Sequence, residues 1–208
     1  MPDEAPRARA RLAQQRSRER RRDILDAALR RYLDGGRANV THRSVAEEAQ
    51  VPLASVGYYF ASLEDLVEEA LTTALERVTE EVRALDLADR PLEQVLTVVH
   101  DFFMSDGDAG RLATWRLLVG SITMPRSSAA VAQLIEAIHD ALAEALGRPD
   151  DATPTLALLL LMGQAAITTG DRSLRPRVDD ALRLAVARMV EDAGTASALE
   201  HVIETSGR

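Results

Sequence analysis

The chain has 208 residues, 46% of them hydrophobic, with no cysteine and a net charge of −8. That length supports one large or two small domains with a real core, while the missing thiols exclude disulfides, thiolate metal sites and a cysteine nucleophile and fit a reducing cytosol. The longest apolar run, residues 156–162, is far short of the roughly 18 residues of a membrane span. The Arg-rich start also lacks the apolar stretch of a secretory signal. The charge is unevenly placed. Residues 1–22 hold eight Arg against three acids, a net of +5, which leaves −13 for the remainder. A basic end on an acidic body fits a nucleic-acid contact confined to that end, or else a solvated basic tail.

In chain order, every long segment reads with helical period and none alternates with period 2, so the expected fold is all-α. Residues 1–18 form an Arg-rich arm, expected to be flexible. A first helix follows with Leu25, Ala28, Leu29, Tyr32 and Leu33 on one face, and Gly35-Gly36 stops it. Thr41 is a good N-cap for a short second helix, and Val40 and Val45 flank it at the spacing of a hydrophobic staple. That helix runs out near Gln50. A tight connection through Val51-Pro52 leads to a third short helix, about Leu53 to Tyr59. Ser62, with Asp65 three residues on, opens a fourth helix carrying Leu63, Leu66, Val67, Ala70, Leu71, Ala74 and Val78 on one stripe. Further helices are expected at Pro91–Met104, Leu112–Ile122, Ser127–Leu146, Thr155–Thr169 and Arg177–Asp192, separated by Gly, Pro, Ser and Asp breaks. The domain reading is a head over 19–61, a regulatory and dimerisation body over 62–193, and a tail over 194–208.

Two short helices joined by about four residues and braced by a longer one have helix-turn-helix dimensions. In detail, residues 40–62 (VTHRSVAEEAQVPLASVGYYFAS) resemble the DNA-binding head of the TetR family of repressors. The shared features are the Thr-initiated helix, the Val-Ala-x-x-Ala core, the short turn, the aromatic ending and the Ser-led start of the next helix. The resemblance covers about residues 22–70 and implies a dimeric, cytoplasmic repressor that leaves a palindromic double-stranded DNA operator when a small molecule binds. Thr41, Arg43 and Ser44, in the first turn of the second helix, are then phosphate contacts. Leu53, Ala54 and Ser55 open the helix that enters the major groove, where Leu53 or Ala54 meets a thymine methyl and Ser55 a base edge or phosphate. The hydroxyls of Tyr58 and Tyr59 suit phosphate or base contact. Val45, Ala49, Val51, Val56 and Phe60 read as the core of the head. Two positions depart from the family: Gly57, where many members carry Tyr, and Leu63, where many carry a basic residue. Gly57 suggests close backbone approach or drift, and the arginine arm is a replacement for the two phosphate-binding groups that are missing.

For the body, residues 156–162 have no polar face, so a helix there is buried on all sides, either inside the subunit or against a second copy. Paired with the stripe of the 127–146 helix, the second option gives a four-helix interface, the position implied by the family, through Leu134, Ile138, Leu142, Leu158, Leu161 and Met162. The resemblance also places an effector pocket among the body helices, where His100, Phe103, Met104 and Trp115 either line it or belong to the core. No paired carboxylates in an apolar setting, Gly-rich phosphate loop or metal-spaced histidines occur, so neither an enzyme, a cofactor nor a metal is expected. The alternative function is a helical small-molecule-binding dimer whose head no longer reads DNA.

Overall fold

The structure, a computed structural model, describes residues 4–85, 87, 90, 94, 98, 107–146, 155 and 159, with backbone alone for 4–10, 107–112 and 146. Six α-helices and one 3₁₀ turn occur among these residues, and no strand. They are α1 (Glu4–Gly35), the 3₁₀ turn (Arg37–Asn39), α2 (His42–Glu48), α3 (Leu53–Tyr59), α4 (Leu63–Arg83), α5 (Gly107–Ile122) and α6 (Pro125–Leu146). The chain divides into two compact units, Met1–Ala74 and Leu75–Arg208. That division falls inside α4, whereas the sequence places the boundary before it at residue 61. Ion pairs from Arg21 to Glu69 and from Arg37 to Glu64 tie the first turns of α4 to the residues before it.

The arm expected to be flexible is helical, continuous with the brace helix from Glu4 onward. The reason is local: residues 7–34 contain no Gly or Pro and are rich in Arg, Ala, Leu, Gln and Glu, all good helix formers. The helix ends at Gly35, and Gly36, at φ 73, takes the left-handed backbone that a side chain resists. Its buried face is Ile24, Leu25, Ala27, Ala28 and Tyr32. Leu29 and Leu33 lie at the margin, half-buried.

The first unit's core is completed by Val40, Val45, Ala46, Val56 and Phe60, together with Leu66, Val67, Ala70 and Leu71 of α4. Val40 and Val45, both within 1% of full burial, sit where the staple reading puts them. Ala49 and Val51, expected in this core, are only half-buried. They flank the turn, where the chain must leave α2 and the packed layer together.

In the second unit α5 packs on α6. Pro125 is the first residue of α6, so the break between the two helices is only Thr123-Met124. Ser127, fully buried, donates from Oγ to the Ser121 carbonyl at 3.0 Å and so satisfies one orphan carbonyl at the end of α5. The expected stripe of α6 is present and faces inward. Leu134, Ile138 and Leu142, expected at an interface between subunits, are 1%, 3% and 1% exposed in the single chain. Side chains with almost no remaining area have almost none to bury against a partner, so these three belong to the subunit's own core. Thr155 is buried, with its Oγ1 3.3 Å from Nδ1 of His139 on α6. Leu158, Leu161 and Met162 lie outside the described residues, as do His100, Phe103 and Met104. The helices expected at Pro91–Met104, Thr155–Thr169 and Arg177–Asp192 also fall largely outside them.

Candidate nucleic-acid interface

The second and third helices are held at their ends by side chains and backbone of the same short segment. Thr41 Oγ1 accepts the Ser44 amide at 3.0 Å, and the Thr41 amide donates to Ser44 Oγ at 2.9 Å, a reciprocal capping box. Ser44 Oγ also donates to the Asn39 carbonyl at 2.8 Å. In the free chain both roles of that hydroxyl are thus filled inside the head, and Ser44, expected as a phosphate contact, also shapes the helix start. Thr41 has the same duty. Of the first-turn amides, those of His42 and Arg43 are left for an anion. Arg43 is 85% exposed and paired through Nε with Glu47 at 2.9 Å, an i,i+4 bridge that raises its pKa. Its remaining donors face outward.

The turn is a Schellman motif without glycine. The Val51 amide reaches back to the Ala46 carbonyl at 3.0 Å and the Gln50 amide to that of Glu47 at 3.2 Å. Gln50, at φ 54, is the only non-glycine residue in the left-handed region among the described residues. Nothing in the sequence marks it, because glycine is the usual sign of this bend. Pro52 follows, and α3 begins at once.

On α3 the side chains divide cleanly. Val56 is fully buried, and Phe60, the C-cap residue, is nearly so. Leu53 (56% exposed), Ala54, Gly57 and Tyr58 (82% exposed) form the outer face. Their spacing of i, i+1, i+4 and i+5 covers about 140° of the helix. Ser55 and Tyr59 lie at its edge, half-buried. Tyr58 packs edge-on to Tyr59 with ring centroids 5.1 Å apart. The Tyr59 hydroxyl is 3.1 Å from that of Ser17 on α1. A Cβ built on Gly57 meets nothing within 4 Å. No part of the chain itself therefore approaches that glycine closely enough to require it.

Four ion pairs lock this frame, and all join residues too far apart in sequence to be paired by inspection. Arg30 reaches Glu48 at 2.8 Å and Arg31 at 3.4 Å, bracing α1 against α2. The Arg30 hydrogen bond is the main cause holding the Glu48 carboxyl below its ordinary range. Arg37 bonds Glu64 at 2.6 Å and lowers its pKa likewise. Arg21 makes a two-pronged fork with Glu69, its Nη2 to Oε2 distance being 2.7 Å, while its guanidinium lies 4.8 Å from the Phe60 ring centre. The sequence counts Arg21 among the charges of the basic end, and in the fold it is a structural clamp. By contrast, no ion pair engages Arg11, Arg16, Arg18 or Arg20 among the described residues, and all four are exposed.

Of the expected effector residues only Trp115 is described, half-buried on α5. No group of three metal-ligating side chains occurs among the described residues, and none of their helices is long and apolar enough to cross a membrane.

No family model matches the chain. Among curated proteins it is 38% identical over 88 residues to the HTH-type transcriptional regulator BetI of Agrobacterium fabrum, and 29% identical over 82 residues to the HTH-type regulator PksA of Bacillus subtilis. These matches take in 42% and 39% of this chain, and span only 43% and 40% of those proteins. Among solved structures it resembles the multidrug binding protein EbrR in complex with malachite green, at 28% identity and a TM-score of 0.59, over 83% of this chain and 98% of that one. A Mesorhizobium loti chain described as a TetR-family transcriptional regulator shares the fold at 16% identity and a TM-score of 0.59, over 91% of this chain and 98% of that one. These relatives are regulators and a binding protein by description, and none is described as an enzyme. Over 88 residues the sequence is thus similar to that of an HTH-type transcriptional regulator, and the fold is similar to that of EbrR and of the Mesorhizobium loti chain.

Proposed function

We propose that the protein is a homodimeric, cytoplasmic repressor that binds a palindromic DNA operator and leaves it when a small molecule occupies the body. The observation that carries this reading is the outer face of α3. A helix of seven residues, fixed by a capped neighbour and a tight turn, presents four residues to solvent, including a leucine and a tyrosine that a soluble surface gains nothing by exposing. Two such heads on a two-fold axis read half-sites about 34–36 Å apart or a multiple of that. Phosphate contacts come from Arg43, the amides of His42 and Arg43, and the tyrosine hydroxyls. The exposed arginines of α1 add to them, in place of the groups missing at Gly57 and Leu63. With Leu134, Ile138 and Leu142 spent on the core, a self-contact through α6 uses another face of that helix or the 156–162 segment.

Coupling follows from chain continuity, since α4 starts in the first unit and ends in the second. A ligand that prefers one arrangement of the body shifts DNA affinity by its differential binding to the two arrangements, and by no more. Residues 1–74 carry twelve Arg and twelve acidic residues, so the whole net charge of −8 falls in 75–208. An acidic body attracts cations. Structures of EbrR with malachite green, proflavin and ethidium make these dyes the natural first probes. Trp115 is the only tryptophan and reports their binding by quenching.

The test is an electrophoretic shift with the DNA flanking the protein's own gene, repeated with each dye. Specific retardation that a dye reverses is the expected result. No specific retardation at low salt, with the dimer intact, replaces this reading with that of a ligand-binding dimer whose head is silent. Removing residues 1–18 is expected to flatten the dependence of log K on log salt by about 0.9 for every phosphate that those residues neutralise.

A further inference from the structure

The outer face of α3 lacks the groups by which proteins most often read bases. Between Val51 and Ala61 there is no Arg, Lys, Asn, Gln, Asp or Glu. The two-bond contacts that select guanine (Arg, Lys) or adenine (Asn, Gln), and the carboxylate contact to cytosine, are therefore unavailable to this helix. The nearest amide side chain is Gln50, outside α3 in the left-handed turn. What α3 does present is the Leu53 side chain, 56% exposed, the Ala54 methyl, and the bare backbone of Gly57, where an added Cβ would meet nothing within 4 Å. Tyr58, beside them, is 82% exposed. The apolar part of this face has one complement in the major groove, the C5-methyl group of thymine, which is the groove's only apolar feature. The two smallest residues, Ala54 and Gly57, allow the helix backbone to come closer to the base pairs than a longer side chain would permit.

We propose that α3 selects its half-site by apolar contact with thymine methyls, through Leu53 and Ala54, in a stretch of A·T pairs, with Gly57 allowing close approach. This rests on the DNA-binding reading above, and it names what that head recognises. The arginines of α1 and Arg43 supply affinity without sequence preference, because phosphates carry no base identity. Selectivity then falls on a few methyl groups, each worth about what one buried CH₂ is worth, roughly fourfold in affinity.

The experiment starts from the full-length protein and a pool of double-stranded DNA of random sequence. Fragments are enriched by binding, and thymines in the enriched half-site are then replaced one at a time by deoxyuridine, which lacks the methyl and keeps every hydrogen-bonding group. At one or two positions per half-site, deoxyuridine is expected to weaken binding about fourfold, and Leu53→Ala is expected to abolish the difference at its own position. The base replacement alone tests the claim on the unaltered protein, so it does not depend on how a variant folds. An enriched site that binds equally well with deoxyuridine at every position overturns this inference and leaves the DNA-binding reading standing. So does a site with G·C pairs under α3. A pool that shows no enrichment overturns both.

Discussion

Two helices of this chain, α3 and α6, carry apolar side chains at helical spacing and use them in opposite ways. On α6 the stripe of Leu134, Ile138 and Leu142 is closed within the subunit, although its length and regularity suggest a surface shared with a second copy. On α3 the apolar residues are divided: Val56 is buried while Leu53 and Tyr58 stand in solvent. The pattern of spacing says that a face is apolar, and says nothing of what covers it. On α6 the subunit itself does so. On α3, seven residues long and anchored by Val56 and Phe60, nothing in the first unit reaches the outer side, and the exposed residues become the functional signal.

The largest test of this contrast compares leucines of the two helices. Leu134→Ala is expected to cost about 2–5 kcal/mol in urea unfolding, as deletion of packed side chains does. Leu53→Ala is expected to stay within about 0.5 kcal/mol of the parent while weakening DNA binding. Equal drops in stability would erase the distinction between the two faces. Next in size is Thr41→Ala, which removes one half of the capping box. It should lower stability by about 1 kcal/mol and loosen the helix on which α3 is seated, with amide hydrogen exchange at Ser44 rising first. A Thr41→Ser variant, which keeps the acceptor, should recover most of that stability.

The smallest expected effect tests the ion pair that braces α1 on α2. The Arg30 hydrogen bond lowers the pKa of Glu48 in the folded chain. The carboxylate's contribution is therefore present at neutral pH and fades as the pH falls through the acidic range. Arg30 is more than half exposed and Glu48 about a third, so solvent screens the pair and the contribution is modest. Glu48→Gln should be slightly less stable than the parent at pH 7, and the two should converge in acid. A difference that stays constant with pH would assign the effect to packing instead.

In the head the sequence is legible because its signals are local. The Thr41 cap, the Val40–Val45 staple and the Ser62 start of α4 all depend on neighbours within a few residues. Ser62 Oγ accepts the Asp65 amide at 3.0 Å, as its place before an apolar stripe implies. The bend at Gln50 is not legible, because the chain makes with a glutamine what is usually made with a glycine. The fork from Arg21 to Glu69 spans 48 residues and leaves no local trace. It makes a clamp of one arginine in the basic segment. The reach of the Ser44 hydroxyl back to the Asn39 carbonyl is likewise not marked by the spacing of the cap.

The sequence by itself determined the all-helical class, the position of the helix-turn-helix and the resemblance to TetR-type regulators. These follow from periodicity, caps and turn residues, which are properties of short stretches of chain. Only the tertiary structure decided which apolar stripe is core and which arginines are engaged. It also decided which residues of α3 remain outside. Burial and pairing are relations between distant segments, and no spacing within one segment encodes them. For that reason the sequence pointed to α3 as the helix that meets DNA, and the fold then selected Leu53, Ala54, Gly57 and Tyr58 as its outer face.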